Sequence, residues 1–153
     1  METINHTVRI HAPAQKVWSM MLAPDTYRQW TAAAWPGSYY EGTWAKDARI
    51  RFICEDGSGT MAHIISFEPY TRIVAEHIAL LLTGGVQDNA SELAKDWIGT
   101  TEEYHFTELN GVTTLTTTLR TAPAFAPMFE KGFPIAMEAL RSLCEAQLAT
   151  AHA

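Results

Sequence analysis

Apolar side chains recur at steps of three and four residues between residues 129 and 148. This spacing predicts a helix with one buried face. The apolar stripe consists of Phe129, Phe133, Ala136, Met137, Leu140, Leu143, Cys144 and Leu148. An isolated helix of this length is marginal in water, so we expect it to pack against another element. Pro134 has no backbone N–H, so the helix either begins near this residue or kinks there.

Most of the chain before this helix alternates between apolar and polar residues with a period of two. Residues 3–11 alternate in this way, which is typical of a half-buried strand. Further strands are predicted at about 38–44, 48–55, 60–67, 72–82, 98–108 and 112–120. The dipeptide Asn110-Gly111 is the signal of a two-residue type I′ hairpin. The strands are therefore expected to form an antiparallel sheet.

Two short helices are predicted between the first and second strands. Pro13 opens the first helix, and Ala23-Pro24 ends it. Asp25 is expected to be the N-cap of the second helix, which runs out near Trp35.

One polar segment, residues 83–96, is too long for a hairpin loop. Gly84 and Gly85 supply a hinge, and residues 91–95 suit one or two helical turns with Asn89 or Ser91 as the cap. A loop of this length is either a lid over a binding site or a surface insertion, and the sequence leaves both alternatives open.

Four segments of the chain resemble the START-like superfamily, also called SRPBCC. They are HAPAQKVWSMMLAPDTYRQW at 11–30, GSYYEGTWAKDARIRF at 37–52, TEEYHFTELNGVTTLTTTL at 101–119 and FEKGFPIAMEALRSLCE at 129–145. Within that superfamily, the chain is similar to the small proteins that resemble the C-terminal domain of the activator of the 90-kDa heat-shock chaperone ATPase.

The resemblance implies an α+β helix-grip fold in a single domain over residues 1–153. In this fold a curved antiparallel sheet of about seven strands wraps round a long C-terminal helix, and two short helices follow strand 1. The resemblance also implies an apolar cavity between sheet and helix. It is specific for fold rather than function, because the superfamily includes lipid carriers, polyketide cyclases and chaperone regulators.

Composition and charge narrow the classes of partner. The net charge is −6 and no basic cluster is present, which argues against nucleic acid or an anionic membrane as partner. The longest aliphatic run, residues 78–82, is far shorter than a membrane span. The N-terminus has no signal-peptide pattern, and Cys54 and Cys144 fit small buried thiols. We therefore expect a cytoplasmic protein that inserts into no membrane.

Two histidines and one glutamate are predicted to lie among apolar residues on strands. By alternation His63 shares a face with Met61 and should point inward if that face is the concave one, and His77 shares a face with its apolar strand neighbours. Glu102 shares a face with Tyr104. Glu102 and either histidine would make an acid–base pair for proton transfer, whereas the alternative is a hydrogen-bonded core histidine or an ordinary ion pair.

The aromatic side chains suit the lining of a small-molecule pocket as well as a packed core. Trp97 follows the polar segment and is expected at the pocket mouth. The expected ligand contacts are Trp44, Phe52, Met61, His63, His77, Trp97, Glu102, Tyr104, Phe106, Phe133, Met137 and Leu140. The histidines have no metal-ligand spacing, so we expect no metal site and no cofactor.

Three functions are compatible with these features. The leading hypothesis is a non-enzymatic protein that binds a hydrophobic small molecule or lipid in the cavity. The second is a chaperone-interaction module, which the family resemblance suggests. The third is a polyketide-cyclase-like lyase that uses the His and Glu pair.

Overall fold

The structure is a computed structural model that describes the backbone of residues 1–152 and the side chains of residues 1–146. Its helices and strands follow in the order β1 (Glu2–Ile10), α1 (Ala14–Leu22), α2 (Pro24–Ala32), β2 (Tyr39–Glu41), β3 (Arg49–Ile53), β4 (Gly59–Glu68), β5 (Arg72–Leu81), β6 (Gln87–Asp88), α3 (Glu92–Trp97), β7 (Thr101–Leu109), β8 (Val112–Thr121) and α4 (Ala126–His152). Among the described residues, no helix is long and apolar enough to span a membrane.

The strands form one antiparallel sheet in the order β1-β8-β7-β5-β4-β3-β2, and β6 pairs with β5. The predicted α+β architecture is confirmed, with two short helices after the first strand and a long C-terminal helix. The sheet has one strand more than expected, because two residues of the polar segment pair with β5. β7 and β8 meet at Asn110 and Gly111, whose positive φ angles of 53° and 78° are those of a type I′ turn.

The start of α2 differs from the prediction. Its N-cap is Ala23 rather than Asp25, and Pro24 occupies the first helical position. Proline suits this position because its fixed φ is helical and its missing N–H would be unpaired there anyway. Asp25 lies in the first turn, where its charge favours the helix dipole.

The long C-terminal helix begins before Pro134, which decides between the two alternatives for this residue. α4 starts at Ala126, so Pro134 lies inside the helix and the alternative that the helix begins at Pro134 is wrong. The stripe residues Ala136, Met137, Leu140 and Cys144 are fully buried in the main core cluster. The side chain of Leu148 lies outside the described residues. The second half of the described helix therefore packs against a filled core.

Candidate functional site

A cavity of about 270 Å³ lies between the first half of α4, α2 and the sheet. Its walls are mostly aromatic. The aromatic lining residues are Tyr27, Trp30, Trp35, Trp44, Phe52, Trp97, Tyr104, Phe125, Phe129 and Phe133. The cavity is partly open, and the half-exposed Met128 lines it near the start of α4.

A chain of hydrogen bonds crosses the wall formed by the sheet and α3. Trp97 Nε1 donates to Thr60 Oγ1 at 2.5 Å, and Thr60 Oγ1 lies 2.9 Å from His77 Nδ1. His77 Nε2 lies 2.7 Å from Glu102 Oε1, and the Tyr104 hydroxyl donates to Glu102 Oε2 at 2.7 Å. The His77 side chain is 1% exposed and that of Glu102 is 16% exposed. The carboxylate is therefore the member of the buried pair that is more open to the cavity.

Strand pairing brings His77 and Glu102 together. Glu102 on β7 is the register partner of Ala75 on β5, two residues before His77. The backbone N–H of His77 donates to the Thr100 carbonyl, and the His77 carbonyl accepts from the Gly99 N–H. These bonds fix His77 next to the start of β7. Side chains two apart on a strand share a face, so His77 lies on the same side of the sheet as Ala75.

Thr60 is able to serve two protonation states of His77. Its single hydroxyl proton is directed either to His77 Nδ1 or to the Ala79 carbonyl, 3.1 Å away. If His77 is neutral and donates from Nε2 to an ionised Glu102, Nδ1 accepts from Thr60. If His77 is protonated on both nitrogens, Thr60 accepts from Nδ1 and donates to Ala79. Either state keeps every ring nitrogen hydrogen-bonded.

The environment holds Glu102 in its ionised form. Burial by itself would raise the pKa of Glu102, but the hydrogen bond and charge of His77, with the Tyr104 hydroxyl, outweigh burial and lower that pKa. Burial and the nearby Glu102 charge raise the pKa of Tyr104 well above its usual value. The same two causes, burial first, raise the pKa of Tyr27. Both phenols therefore keep their protons.

Two polar groups in the lining lack a well-formed hydrogen bond. The Tyr27 hydroxyl has no hydrogen-bond partner among the described residues, although its pKa responds to Glu102. The buried Trp44 indole N–H also lacks a well-aligned acceptor there. It lies near the Tyr40 hydroxyl. Burial raises the pKa of Tyr40, and the contact with Trp44 offsets only part of this rise. Tyr40 already donates to the Leu22 carbonyl.

The structure brings seven of the expected ligand contacts to the cavity. These are Trp44, Phe52, His77, Trp97, Glu102, Tyr104 and Phe133. The other five, Met61, His63, Phe106, Met137 and Leu140, lie elsewhere. Whether the seven bind a ligand stays a prediction.

His63 does not point inward as expected. Its side chain is 39% exposed, and its Nε2 lies 3.4 Å from Asp47 Oδ1. The physical reason is that β4 carries one extra residue, Ile65, where its register with β5 shifts between Ile64 and Ser66. This bulge reverses the face of later side chains, so Phe67 packs against the core whereas His63, on the other side of Ile65, lies on the opposite face. Met61 shares the face of His63 and packs with Ile53, Ala79 and Leu81 in a separate apolar cluster.

Phe106, Met137 and Leu140 lie in the filled part of the core. The rings of Phe106 and Trp18 are 5.3 Å apart between centroids. Met137 and Leu140 are fully buried. The cavity occupies one end of the layer between sheet and helix, whereas Trp18 and neighbouring side chains fill the other end.

The sequence reasoning missed Thr60, Tyr27 and Trp35 as lining residues. Trp35 packs against α4, where a Cβ at Gly132 would come within 2.4 Å of the Trp35 ring carbon Cζ2. A glycine inside an apolar helical stripe was the available signal, because it marks a place where another group approaches closely. Thr60 and Tyr27 had no such signal.

The polar segment folds as β6 followed by α3. Ser91 caps α3, because its side-chain oxygen accepts from the Ala94 N–H. Of the two predicted caps, Asn89 and Ser91, the second is therefore confirmed. α3 ends at Trp97, whose ring stacks on Phe129 with centroids 5.8 Å apart. The proposed lid motion of residues 83–96 stays a prediction. No group of histidine, cysteine and acidic residues suited to a metal ion occurs in the described part of the chain.

Comparisons with known proteins agree with this fold. The family described as "Activator of Hsp90 ATPase homolog 1-like protein" matches residues 11–145. Comparison with curated protein sequences gave no match.

Several solved structures are similar to this chain. The Aha1 dimer from Colwellia psychrerythraea is 17% identical over 95% of this chain and 97% of its own, with a TM-score of 0.72. MLL2253 from Mesorhizobium loti is also 17% identical over 95% of this chain and 98% of its own, with a TM-score of 0.72. CalU16 from Micromonospora echinospora is 17% identical over 97% and 79%, with a TM-score of 0.66. At this identity the likeness shows the fold alone.

Proposed function

This chain belongs to the family of Activator of Hsp90 ATPase homolog 1-like proteins, and from that premise we propose that its cavity binds a small, mainly apolar molecule. Proteins of this fold commonly bind hydrophobic ligands. The observation that carries the proposal is the mostly aromatic cavity of about 270 Å³, whose wall holds the hydrogen-bonded cluster of Thr60, His77, Glu102 and Tyr104. Small-molecule sites typically combine such apolar walls with a few placed polar groups.

The cavity volume limits the size of the ligand. A dry cavity of roughly 150 Å³ in another protein holds one benzene ring. The volume here is about 270 Å³, which suits a molecule of two fused rings rather than a long lipid chain. Naphthalene is therefore a suitable probe of the apolar walls.

Naphthalene binding is measured by quenching of tryptophan fluorescence and by the rise in melting temperature. Trp30, Trp35, Trp44 and Trp97 line the cavity, so a bound ring should change their emission. Saturation at about 100 times the dissociation constant would stabilise the protein by about 2.7 kcal/mol.

A cavity-filling variant sharpens this test. Ala75→Phe places a ring inside the cavity and should abolish both signals without destabilising the protein. Ala32→Phe, at an exposed alanine of α2, is the matched control and should keep both signals. Equal responses in the two variants, or no response in the wild type, would contradict the proposal.

The 2.7 Å contact between His77 and Glu102 favours a second candidate, proton transfer on the bound molecule. Glu102 would act as general base, and His77 with Thr60 would respond to the changed charge. The probe is 2-tetralone in heavy water, because a base removes its proton next to the carbonyl and deuterium replaces it. Exchange should be faster with wild-type protein than with Glu102→Gln. Exchange at the buffer rate would reject this candidate.

The family description names the Hsp90 ATPase, and a chaperone interaction of this chain stays a prediction. A pull-down with purified chaperone and a measurement of its ATPase rate test it. No retention and no change in rate would reject it.

A further inference from the structure

We propose that the ligand carries a hydroxyl group on an unsaturated ring, a phenol or enol, held between Glu102 as acceptor and Tyr27 as donor. This inference rests on the proposed ligand binding and adds the chemical class of the ligand. The argument starts from the hydrogen-bond capacity that the protein leaves unused in the cavity wall.

Glu102 has capacity to accept further hydrogen bonds. An ionised carboxylate has about four lone-pair positions. His77 uses one position on Oε1, and Tyr104 uses one on Oε2. Glu102 also lines the cavity. A ligand that presents an O–H or N–H to this carboxylate would therefore gain a hydrogen bond to a charged group, which is about twice as strong as a neutral one.

Tyr27 supplies the complementary donor. Its hydroxyl forms no hydrogen bond among the described residues, and Tyr27 lines the cavity. Tyr27 and Glu102 line the same cavity, so one bound molecule is able to contact both. A ligand hydroxyl both donates and accepts, so it would satisfy Glu102 and Tyr27 together. An ammonium group donates only and would leave the Tyr27 proton unpaired.

The charge of the wall disfavours anionic ligands. No lysine or arginine is among the cavity-lining side chains of the described chain, and Glu102 is held ionised. A carboxylate or phosphate would meet a like charge in a poorly hydrated space.

The shape of the wall favours a flat ring. Phe52 lies between Tyr27, Trp44 and His77, with centroid distances of 6.3, 5.8 and 6.1 Å. Aromatic faces and edges of this kind pack best against another planar ring. A hydroxyl on such a ring would reach the polar cluster while the ring contacts the aromatic wall.

The test compares three probes of one ring skeleton by calorimetry: naphthalene, 2-naphthol and 2-methoxynaphthalene. Only 2-naphthol is able to donate to Glu102. We expect it to bind wild-type protein roughly 10- to 100-fold more tightly than the methyl ether, which corresponds to one hydrogen bond to a charged acceptor. Equal affinities for the naphthol and the ether would overturn the inference while leaving the proposed apolar binding intact. No binding of any probe would reject the proposed function itself.

Variants of Glu102 and Tyr27 test whether these two residues cause the preference for 2-naphthol over 2-methoxynaphthalene. Glu102→Gln should reduce the preference for naphthol over the ether, because a neutral amide is a weaker acceptor, and leave naphthalene affinity unchanged. Tyr27→Phe should weaken naphthol about 2- to 10-fold, as expected for one neutral hydrogen bond. Glu103→Gln is the matched control, since Glu103 is partly exposed and pairs with Arg72 at 2.7 Å. A naphthol preference that persists in both site variants would overturn the inference. The wild-type probe series decides the question even if a site variant folds poorly.

Discussion

Removing the His77 side chain isolates the buried charge of Glu102. In His77→Ala the carboxylate loses the partner at 2.7 Å and keeps only the Tyr104 hydroxyl. Breaking one side of a buried ion pair typically costs about 3–5 kcal/mol, because the remaining charge is uncompensated. Glu102 is 16% exposed, and water in the cavity relieves part of the cost. We therefore expect a loss of about 3 kcal/mol at neutral pH.

The pH dependence of this loss distinguishes a charge effect from lost packing. In the wild type the pKa of folded Glu102 lies below its usual value of 4.5, so the stability that it contributes is present above that pH and is lost as pH falls through the folded pKa. In His77→Ala burial dominates and should raise the folded pKa above 4.5. The variant then gains relative stability as pH falls toward 4.5. The difference between the two proteins should therefore shrink in acid.

Urea unfolding at several pH values between about 7 and 4.5 measures this difference as the change in midpoint multiplied by the slope m. His63→Ala is the matched control, because His63 is 39% exposed and should cost less than about 1 kcal/mol at any of these pH values. A loss in His77→Ala that is below about 1 kcal/mol, or is the same at every pH, would refute the reasoning that His77 stabilises a buried carboxylate.

Three further predictions concern packing, capping and reactivity. Gly132→Ala should destabilise the protein by about 1–3 kcal/mol in thermal unfolding, because its Cβ would clash with Trp35. Glycine to alanine inside an unobstructed helix stabilises, so a rise in melting temperature would contradict this packing. Ser91→Ala should cost about 0.5–2 kcal/mol through loss of the α3 cap, and Ser91→Asp should recover most of it; equal stability of all three proteins would argue against the cap. Cys54 is exposed rather than buried as expected, although partial burial raises the pKa of its thiol. Ellman's reagent should therefore modify Cys54 in the native protein and Cys144 only on unfolding, because Cys144 is fully buried and burial raises the pKa of its thiol to about 12. Fast reaction of both thiols in native protein would disprove the assignment.

Turns and helix caps were predictable from the sequence where they depend on one or two neighbouring residues. Asparagine and glycine adopt positive φ angles more readily than other residues, so the dipeptide Asn110-Gly111 was enough to predict the hairpin. Ser91 was one of two expected caps because its side-chain oxygen accepts from a backbone N–H of the first helical turn. The predicted N-cap of α2, Asp25, was wrong by two residues. Proline is well suited to the first helical position, so Pro24 occupies it and the helix starts earlier.

The inner face of β4 was not predictable from alternation. The extra residue Ile65 reverses the face between His63 and Phe67, and this bulge depends on pairing with β5 residues eight or more positions away in sequence. Met61 and His63 were therefore assigned to the wrong environment. The register of β7 runs without a shift along its pairing with β5 and β8, and Glu102 and Tyr104 lie together in the lining as alternation predicted.

The location of the cavity along α4 follows from side-chain size on the sheet. Gly59, Thr60 and Ala75 line it with small side chains, whereas the filled end of the layer contains residues such as Trp18 and Phe106. Sequence alone gives the sizes but not which small residues face the same space. That depends on the pairing of β4 with β5, whose register shifts at two places.

The empty cavity and the buried polar cluster each lower the stability of the folded chain relative to a filled, apolar interior. At about 24 cal/mol per Å³, an empty volume of about 270 Å³ would cost at most about 6.5 kcal/mol, and less where water enters. A larger residue at Ala75 would remove part of that cost. An apolar replacement of His77 and Glu102 is often neutral or stabilising in other proteins, so the buried pair is weak support for stability. A ligand that fills the volume and donates to Glu102 would offset both costs at once, which is the physical reason to expect an occupant at this end of the layer.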